Sequence, residues 1–587
     1  MLTHRVPMPR IPGSGRLLRP PILRSARYPS RPFTQQSRRQ VISPPLGRPQ
    51  LPFLTSPAGS RPLPPLSLHL RQHFARLVST ESRDYYRRRI SNGLKIGLSF
   101  YAMLVLFQVI KLGVYQEDIE HKWPTPPEWS WKSRWCLRSA QALQHPEQIG
   151  KLMTNWPMVA GYLKDLLERL EDPEGEGKGI MEQEDGGFLV EGVGKMGYDV
   201  SAKSEPWRRG YFQALMGAAK AAESLEGWLT DRKQRISAPA EYVVGPSNPR
   251  PRPMPAGQQA PLEENCEAAS PSPESFYMKI LTTRGFDTRQ KVEAALSYAD
   301  WLDYKGLKST SRDMYSWAMD IAAAGSSVDA TKVVDVKTGV LKNDGKLLPS
   351  ENIIRVSTAL AVHHAKQGDL PNALSIFTSV LKARRSLPAA SSDSALPFFP
   401  SRAPSGNDPF RALFNSLKTV LVPVEYPPPL LSGDEPPQRT PTSVCDEAGL
   451  MTYIGEIIYA SSSKEGGLAW TRDAVDLAEA TIFELGTSEE LREPRDRCAD
   501  CLRVGIGNWK TMVSQLIKQA EKDEQETIEK AKKAWYGGQK QIEAKTLERK
   551  RWEAERLILD DRTRRLRDFV DDDTALKGIA PNSSLFT

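Results

Sequence analysis

The alternation of apolar and polar positions divides this 587-residue chain into regimes of different character. From Gly93 to Tyr115 it reads GLKIGLSFYAMLVLFQVIKLGVY, with no charged residue between Ile96 and Ile110. A helix needs ~20 mostly apolar residues to cross a bilayer's hydrocarbon core. The uncharged run reaches that length once Leu94, Leu112, Val114 and Tyr115 join it and Lys95 and Lys111 extend their ammonium groups outward. A single membrane helix is therefore expected here. Beyond it, apolar residues recur with helical period over 131–143, 156–170 and 207–235, the last with small residues (Gly217, Ala218, Ala221, Ala222) on one face. Residues 171–206 are acidic and glycine-rich, as a loop would be. From 276 to 570 no strand-like alternation stands out, and helical pairs follow one another.

The spacing of those pairs repeats. The clearest, LAVHHAKQGDLPNALSIFTSVL, places Leu360 and Ala361, then Gly368-Asp369, then Ala373 and Phe377. This spacing resembles the tetratricopeptide repeat (TPR), in which small residues let helix A touch helix B and a glycine–acid pair turns the chain between them. A second copy reads Ala299, Gly306, Ser311, Tyr315, Ala318, and a third Gly455, Gly467, Thr471, Ala474; Ser311 and Thr471 depart most from the pattern. Ala361 and Ala299 are 361 − 299 = 62 positions apart, and Gly455 and Ala361 are 455 − 361 = 94 apart. Both exceed the TPR period of ~34 residues, so insertions at 325–350 and 388–446 are expected between repeats. Each pair buries its face only against neighbours, so an interrupted array still stacks. The resemblance implies a concave peptide groove lined from helix A by Glu293, Leu296 and Asp300, by Arg355, Thr358 and Val362, and by Thr452, Glu456 and Tyr459. TPR domains that grip a chaperone's terminal carboxylates place a Lys/Asn clamp at such positions. Here they hold Leu296, Asp300, Thr358 and Val362, so the clamp is absent.

The expected fold is all-α: a single-pass membrane helix followed by a TPR-like solenoid of helical hairpins with long disordered insertions. The divisions are a presequence over 1–80, a basic juxtamembrane segment and membrane helix over 81–115, and an N-terminal helical region over 116–236. A proline-rich linker follows at 237–275, with nine prolines, then the repeat domain at 276–510, a long charged helix at 511–572 and a tail at 573–587. That last helix is broken at Gly537-Gly538; it suits either a solvated cap on the solenoid or a partner-binding helix through Trp535, Trp552 and Leu557. Trp123, Trp129, Trp131 and Trp135 suit either a membrane interface or a capping core.

Charge changes the picture only at one end. The net charge is +9, yet residues 1–80 hold thirteen Arg and no Lys, Asp or Glu. Removing them leaves 80 − 13 = 67 basic against 71 acidic residues, so the excess belongs to a terminal segment and not to a nucleic-acid-binding face. An Arg-, Ser- and Pro-rich, acid-free N-terminus is the composition of a mitochondrial transit peptide, disordered and removable, with a basic amphipathic helix at Leu66–Val78 and a processing signal at Arg76. Arg83, Arg87, Arg88 and Arg89 precede the membrane helix, and Glu117, Asp118 and Glu120 follow it. The positive-inside bias puts the N-terminus in the matrix and the bulk of the chain in the intermembrane space.

Candidate chemistry is sparse. There is no P-loop (Gly194-Lys195 lacks the glycine five residues ahead), no HExxH, no GxSxG and no dinucleotide fingerprint. Cys498-Ala-Asp-Cys501 is a lone CxxC without the second pair that zinc prefers, and five scattered cysteines make no disulfide framework. Adjacent His363 and His364 point to different helix faces, which disfavours a shared metal. No catalytic, cofactor or metal site is expected, and the chain is read as a non-enzyme.

The order of parts resembles a fungal family, the TPR-containing adaptor subunit of the mitochondrial inner-membrane i-AAA protease. The residues carrying the likeness are the RRR–membrane helix–WPTPPEW junction, the WRRGYFQALMGAAKAAESLEGW block and the LAVHHAKQGDLPNALSIF repeat. The resemblance implies an adaptor that binds unfolded or mistargeted proteins and passes them to the i-AAA protease for quality-control degradation. Its partners would be the protease subunits, unfolded substrates and the membrane. Two alternatives remain open: a TPR scaffold or assembly factor for an inner-membrane complex, and an outer-membrane import receptor.

Overall fold

The protein is described from a computed structural model, which covers 80–145, 154–182, 189–190, 194–195, 197–254, 259–342, 347–389, 425–486, 491–533 and 538–567. The presequence reading lies outside these residues except at Thr80, as do Trp535, Gly537 and most of the second insertion. The chain is mainly helical, with fourteen helices among the described residues. It divides at Phe100/Tyr101, within the first helix, and everything below from Tyr101 onward belongs to the second unit.

Helix α1 runs Thr80–Lys122. It is the one described helix long and apolar enough to cross a membrane, and none of its apolar window is buried. Leaving Ile96, Phe100 and Met103 each more than 60% exposed is costly in water, and the apolar interior of a bilayer removes that cost.

Packed helices follow. Helix α2 (Trp131–Gln144) pairs with α3 (Trp156–Leu170), α4 (Glu205–Ser224) packs on both α3 and α5 (Pro273–Thr282), and α6 (Thr288–Tyr304) pairs with α7 (Lys308–Gly325). After the one-turn α8 (Ala330–Val333), α9 (Glu351–Gln367) pairs with α10 (Leu370–Arg385) and α11 (Pro441–Ser461) with α12 (Lys464–Leu485). The chain closes with α13 (Arg492–Lys533) and α14 (Gln539–Arg565). Each helix packs mainly on its sequence neighbours, which is the arrangement of a solenoid-like body.

Local signals set the helix ends. Ser204, Ser350 and Asn155 cap α4, α9 and α3 by accepting from the amides of Trp207, Ile353 and Met158. Thr440–Ser443 forms a capping box for α11, and Pro441 sits in its first turn. Gly368 ends α9 at φ +84°, a left-handed position that only glycine takes without strain.

Within each hairpin, small buried residues set the closeness of the helices. Ala299, Ala318, Ala361 and Ala373 are fully buried, with Tyr315, Leu360, Phe377 and Ala474 beside them. Gly306 turns the chain between α6 and α7 at φ +77°. Gly455 and Gly467 face each other across α11 and α12, where a Cβ on either would meet backbone of the other. The departures at Ser311 and Thr471 are accommodated because each hydroxyl is satisfied inside the core. Ser311 Oγ donates to the Ala299 carbonyl and Thr471 Oγ1 to the Gly467 carbonyl, both at 3.0 Å.

Three spans read as loop or linker carry structure. The proline-rich stretch 237–275 is not structureless: β6 (Ile236–Pro239) and β7 (Cys266–Ala268) flank β5 (Trp228–Asp231) in an antiparallel sheet of order β6-β5-β7. Buried Asp231 accepts from the amides of Lys233 and Gln234 and so closes the β5–β6 turn, a side-chain-to-backbone bond that apolar periodicity cannot reveal. The 171–206 loop contributes two-residue strands β1 (Met181–Glu182), β2 (Leu189–Val190), β3 (Gly194–Lys195) and β4 (Tyr198–Asp199), paired β1–β4 and β2–β3. The end of the 388–446 insertion is a strap. Arg209 on α4 donates to the carbonyls of Pro427 (2.7 Å) and Pro428 (2.9 Å) and lies over the Tyr426 ring. Asn352 on α9 then donates to Ser432 O, and the Ser327 amide after α7 donates to Asp434 O. The strap ties three hairpins along one edge.

Candidate functional site

The candidate site is a groove of about 820 Å³ in the N-terminal half of the body. Its floor is apolar: Leu137 on α2, Leu163 on α3, Phe212 on α4 and Tyr277 on α5, all nearly buried. Its walls are polar and aromatic. Gln141 and Gln144 come from α2, Gln213, Lys220 and Glu223 from α4, and Glu293, Ser297, Asp300, Trp301 and Tyr304 from α6. At the lip, Trp123 stacks on His145 with ring centroids 5.4 Å apart.

Local sequence explains the placement. The 3.6-residue period puts Glu293, Ser297 and Asp300 on one stripe of α6, while Val292, Ala295 and Ala299 face the core. Gly217, also lining the groove, lets α4 approach the Leu163 and Gln144 side chains.

The electrostatics are locally negative. Glu223 accepts from the Tyr277 hydroxyl at 2.7 Å. Burial foremost raises the Glu223 carboxyl above its usual range, against the Tyr277 hydrogen bond and Lys220, with Asp300 and Glu226 adding to the rise. The Tyr277 hydroxyl is raised by burial and then by Glu223 and Asp300. Gln141 Oε1 is buried in the groove wall with no hydrogen-bond partner among the described residues. An amide oxygen left so seeks a donor from whatever fills the groove.

The nine residues expected to line a TPR groove divide. Glu293 and Asp300 line the groove just described. Leu296 is half-buried against the core, as is Val362. Arg355 approaches Glu293 at 3.8 Å, and Lys366 reaches Asp300 at 2.7 Å, so α9 borders α6 through exposed ion pairs. Thr358 is half-buried and bonds back to Ile354 O. The third set does not face an open groove. Thr452 is buried, bonded to Ala448 O. Tyr459 donates to Met512 O at 3.1 Å, and Asn508 reaches Glu456 at 3.4 Å, so α13 covers this face. Helix α13 is long and amphipathic enough to bury its own apolar stripe (Leu502, Ile506, Trp509, Val513) on α11 and α12. Sequence spacing cannot tell which neighbour a face will meet.

Sequence reasoning missed three features and left a fourth, the role of Trp552, open. The N-terminal helices supply most of the groove, although only α6 among its walls carries a repeat motif. Cys445 and Cys498 form a disulfide across 53 positions, joining α11 to α13, while Cys136, Cys266 and Cys501 remain as thiols. Trp552 is buried on α14 and unavailable to a partner, whereas Leu557 is exposed. Finally, Glu120 at the end of α1 is buried, accepting from Arg134, Arg138, the Thr125 amide and the Thr125 hydroxyl at 2.8–2.9 Å. The tryptophans split as well: Trp129 is core, packed edge-on to Trp207, and Trp131 is exposed.

His363 Nδ1 lies 2.8 Å from Asp303 in a buried contact between α9 and α6, and His364 pairs with Asp369. Both histidines are occupied structurally. Among the described residues no group of three or more His, Cys, Asp or Glu is arranged to hold a metal ion.

The fold and groove define a class: a helical-hairpin protein with one candidate membrane helix joined to a peptide-sized cleft. Searches against protein families, curated proteins and solved structures find no match.

Proposed function

We propose that this chain is a non-catalytic adaptor of the TPR kind, anchored once in the mitochondrial inner membrane. Its N-terminus lies in the matrix and its helical body in the intermembrane space. There it binds unfolded or mistargeted proteins and delivers them to the i-AAA protease. The observation that carries this reading is the joining of the cleft to the apolar helix: α1 continues to Lys122, Glu120 fastens its end to Arg134 and Arg138, and Trp123 is already the groove lip. A binding surface fixed at the end of a membrane helix holds its ligand at a set height above the bilayer. The Cys445–Cys498 bridge supports an oxidising compartment for the body, since such bonds rarely persist against cytosolic or matrix-like thiol pools. The aromatic and amide walls suit extended polypeptide more than a single small ligand.

Two measurements test the reading. Protease added to intact mitochondria should leave the body untouched and digest it only after the outer membrane is ruptured; digestion in intact organelles refutes the placement. Removing 276–510 while keeping α1 should slow turnover of unfolded inner-membrane proteins. Unchanged turnover refutes substrate capture by the hairpins. A scaffold for one folded partner is the second reading, favoured by the exposed Leu547, Leu557 and Ile558 on α14. One dominant stoichiometric crosslink, replacing many weak ones, selects it.

A further inference from the structure

The groove sits at one end of the body, immediately after α1, and its height above a bilayer follows from helix geometry. The apolar stretch of α1 ends at Tyr115, and Trp123 at the groove lip is eight residues further on. At 1.5 Å per residue that is about 12 Å. The Trp123 amide still bonds to Ile119 O at 2.8 Å, and the buried Glu120 ion pairs hold the junction, so this distance is rigid.

The groove's chemistry is equally specific. Glu223, Glu293 and Asp300 bring three carboxylates to one cavity, in whose lining Lys220 is the single lysine or arginine among the described residues. Arg355 and Lys366 pair with Glu293 and Asp300 from α9, outside the lining, in exposed contacts that a ligand can displace at little cost. Gln141 offers a buried acceptor to a backbone N–H, and Tyr304, well exposed, offers a face to alkyl stems and ammonium groups.

We propose that this groove takes the cationic flank of another membrane-anchored polypeptide, held extended just above the bilayer surface. The inference rests on the adaptor reading for its biological setting, though not for the binding itself. On the topology proposed above it also defines a preference. Correctly inserted helices keep their lysines and arginines on the opposite side, so a cation-selecting groove on this face favours segments inserted backwards or arrested at the membrane.

The test uses the full chain in a lipid nanodisc, with a photo-crosslinking amino acid at position 304 and a lipid-anchored bait peptide in the same disc. An extended chain covers ~3.3 Å per residue, so a Lys-Leu-Lys bait needs a spacer of about four residues to reach the lip. Baits with about four to eight spacer residues should crosslink at least tenfold more than a bait with one residue. They should equally exceed a Glu-Leu-Glu bait of the same length, and a probe at position 378 on α10 should capture none. The Glu223→Gln/Asp300→Asn pair, which keeps the side-chain shapes and the acceptor for Tyr277, should lower capture about tenfold. Capture that ignores bait charge, or an equal yield at position 378, overturns the proposal. The bait comparison needs no variant, so a folding defect cannot mimic either result. No protease is present, so loss of capture refutes the groove's ligand while leaving delivery to a protease to be judged by the turnover assay.

Discussion

The disulfide offers the sharpest quantitative check on the C-terminal half of the body. Cys445 lies near the start of α11 and Cys498 near the start of α13; both side chains are fully buried, so the bond is held inside the core that α11 to α14 share rather than at its surface. It closes a span of 53 positions. In the chain-entropy account, the cross-link removes about 2.1 + 1.5R ln n cal/mol/K from the unfolded ensemble, which for this span is about 4 kcal/mol at 25 °C. The Cys445→Ala/Cys498→Ala protein avoids placing a hydroxyl in that core and should lose most of this. The assay is urea unfolding of the detergent-solubilised full chain, followed by tryptophan fluorescence, to which Trp509 on α13 and Trp552 on α14, both buried, contribute. Reductant should bring the wild-type midpoint down to that of the variant and leave the variant unmoved. Alkylation before reduction should label Cys136, Cys266 and Cys501 alone. A loss below about 1 kcal/mol, or a reductant effect of the same size in the variant, refutes the claim that the bridge holds α13 over the α11–α12 hairpin.

Three further outcomes follow from the packing. Gly467→Ala should destabilise by about 1–3 kcal/mol, because a Cβ there meets the Tyr459 amide and the Gly455 carbonyl, which are backbone atoms; Gly507→Ala, with nothing within 4 Å, should instead stabilise by up to about 1 kcal/mol in the same unfolding assay. Glu120→Ala leaves the buried Arg138 without its partner and should cost about 3–5 kcal/mol, with faster proteolysis between α1 and α2 as the readout. His364 has its folded pKa lowered below 6.5, by burial first, against the Asp369 charge. Folding then binds fewer protons than unfolding, so its contribution is full above pH 6.5 and lost as pH falls through and below that value. The unfolding midpoint of His364→Gln should therefore depend less steeply on pH across that window, and an unchanged slope contradicts the assignment.

Legibility in the sequence followed the range of the interaction. Gly368, Ala361 and Phe377 were recognisable because their roles are set within one hairpin, by spacing and backbone conformation. The strap was not, because Arg209 meets Pro427 and Pro428 across more than two hundred positions and nothing local marks either partner. The proline-rich stretch misled in the other direction. Its prolines limit strand length without forbidding a sheet, and Pro239 sits at the end of β6, on an outer strand.

The sequence by itself determined the helical class, the membrane candidate at Gly93–Tyr115, the hairpin at Leu360–Phe377 and the stripe that carries Glu293 and Asp300. Periodicity and composition are properties of consecutive residues, so these could be read directly. Only the tertiary structure decided which faces stay open. It turned α13 over Thr452 and Tyr459, leaving Glu456 exposed beside Asn508, and it brought α2, α4, α5 and α6 together around a groove that no repeat motif announces. Open and covered faces carry the same apolar period; what distinguishes them is the partner helix, and that choice is made by the summed burial of the whole array.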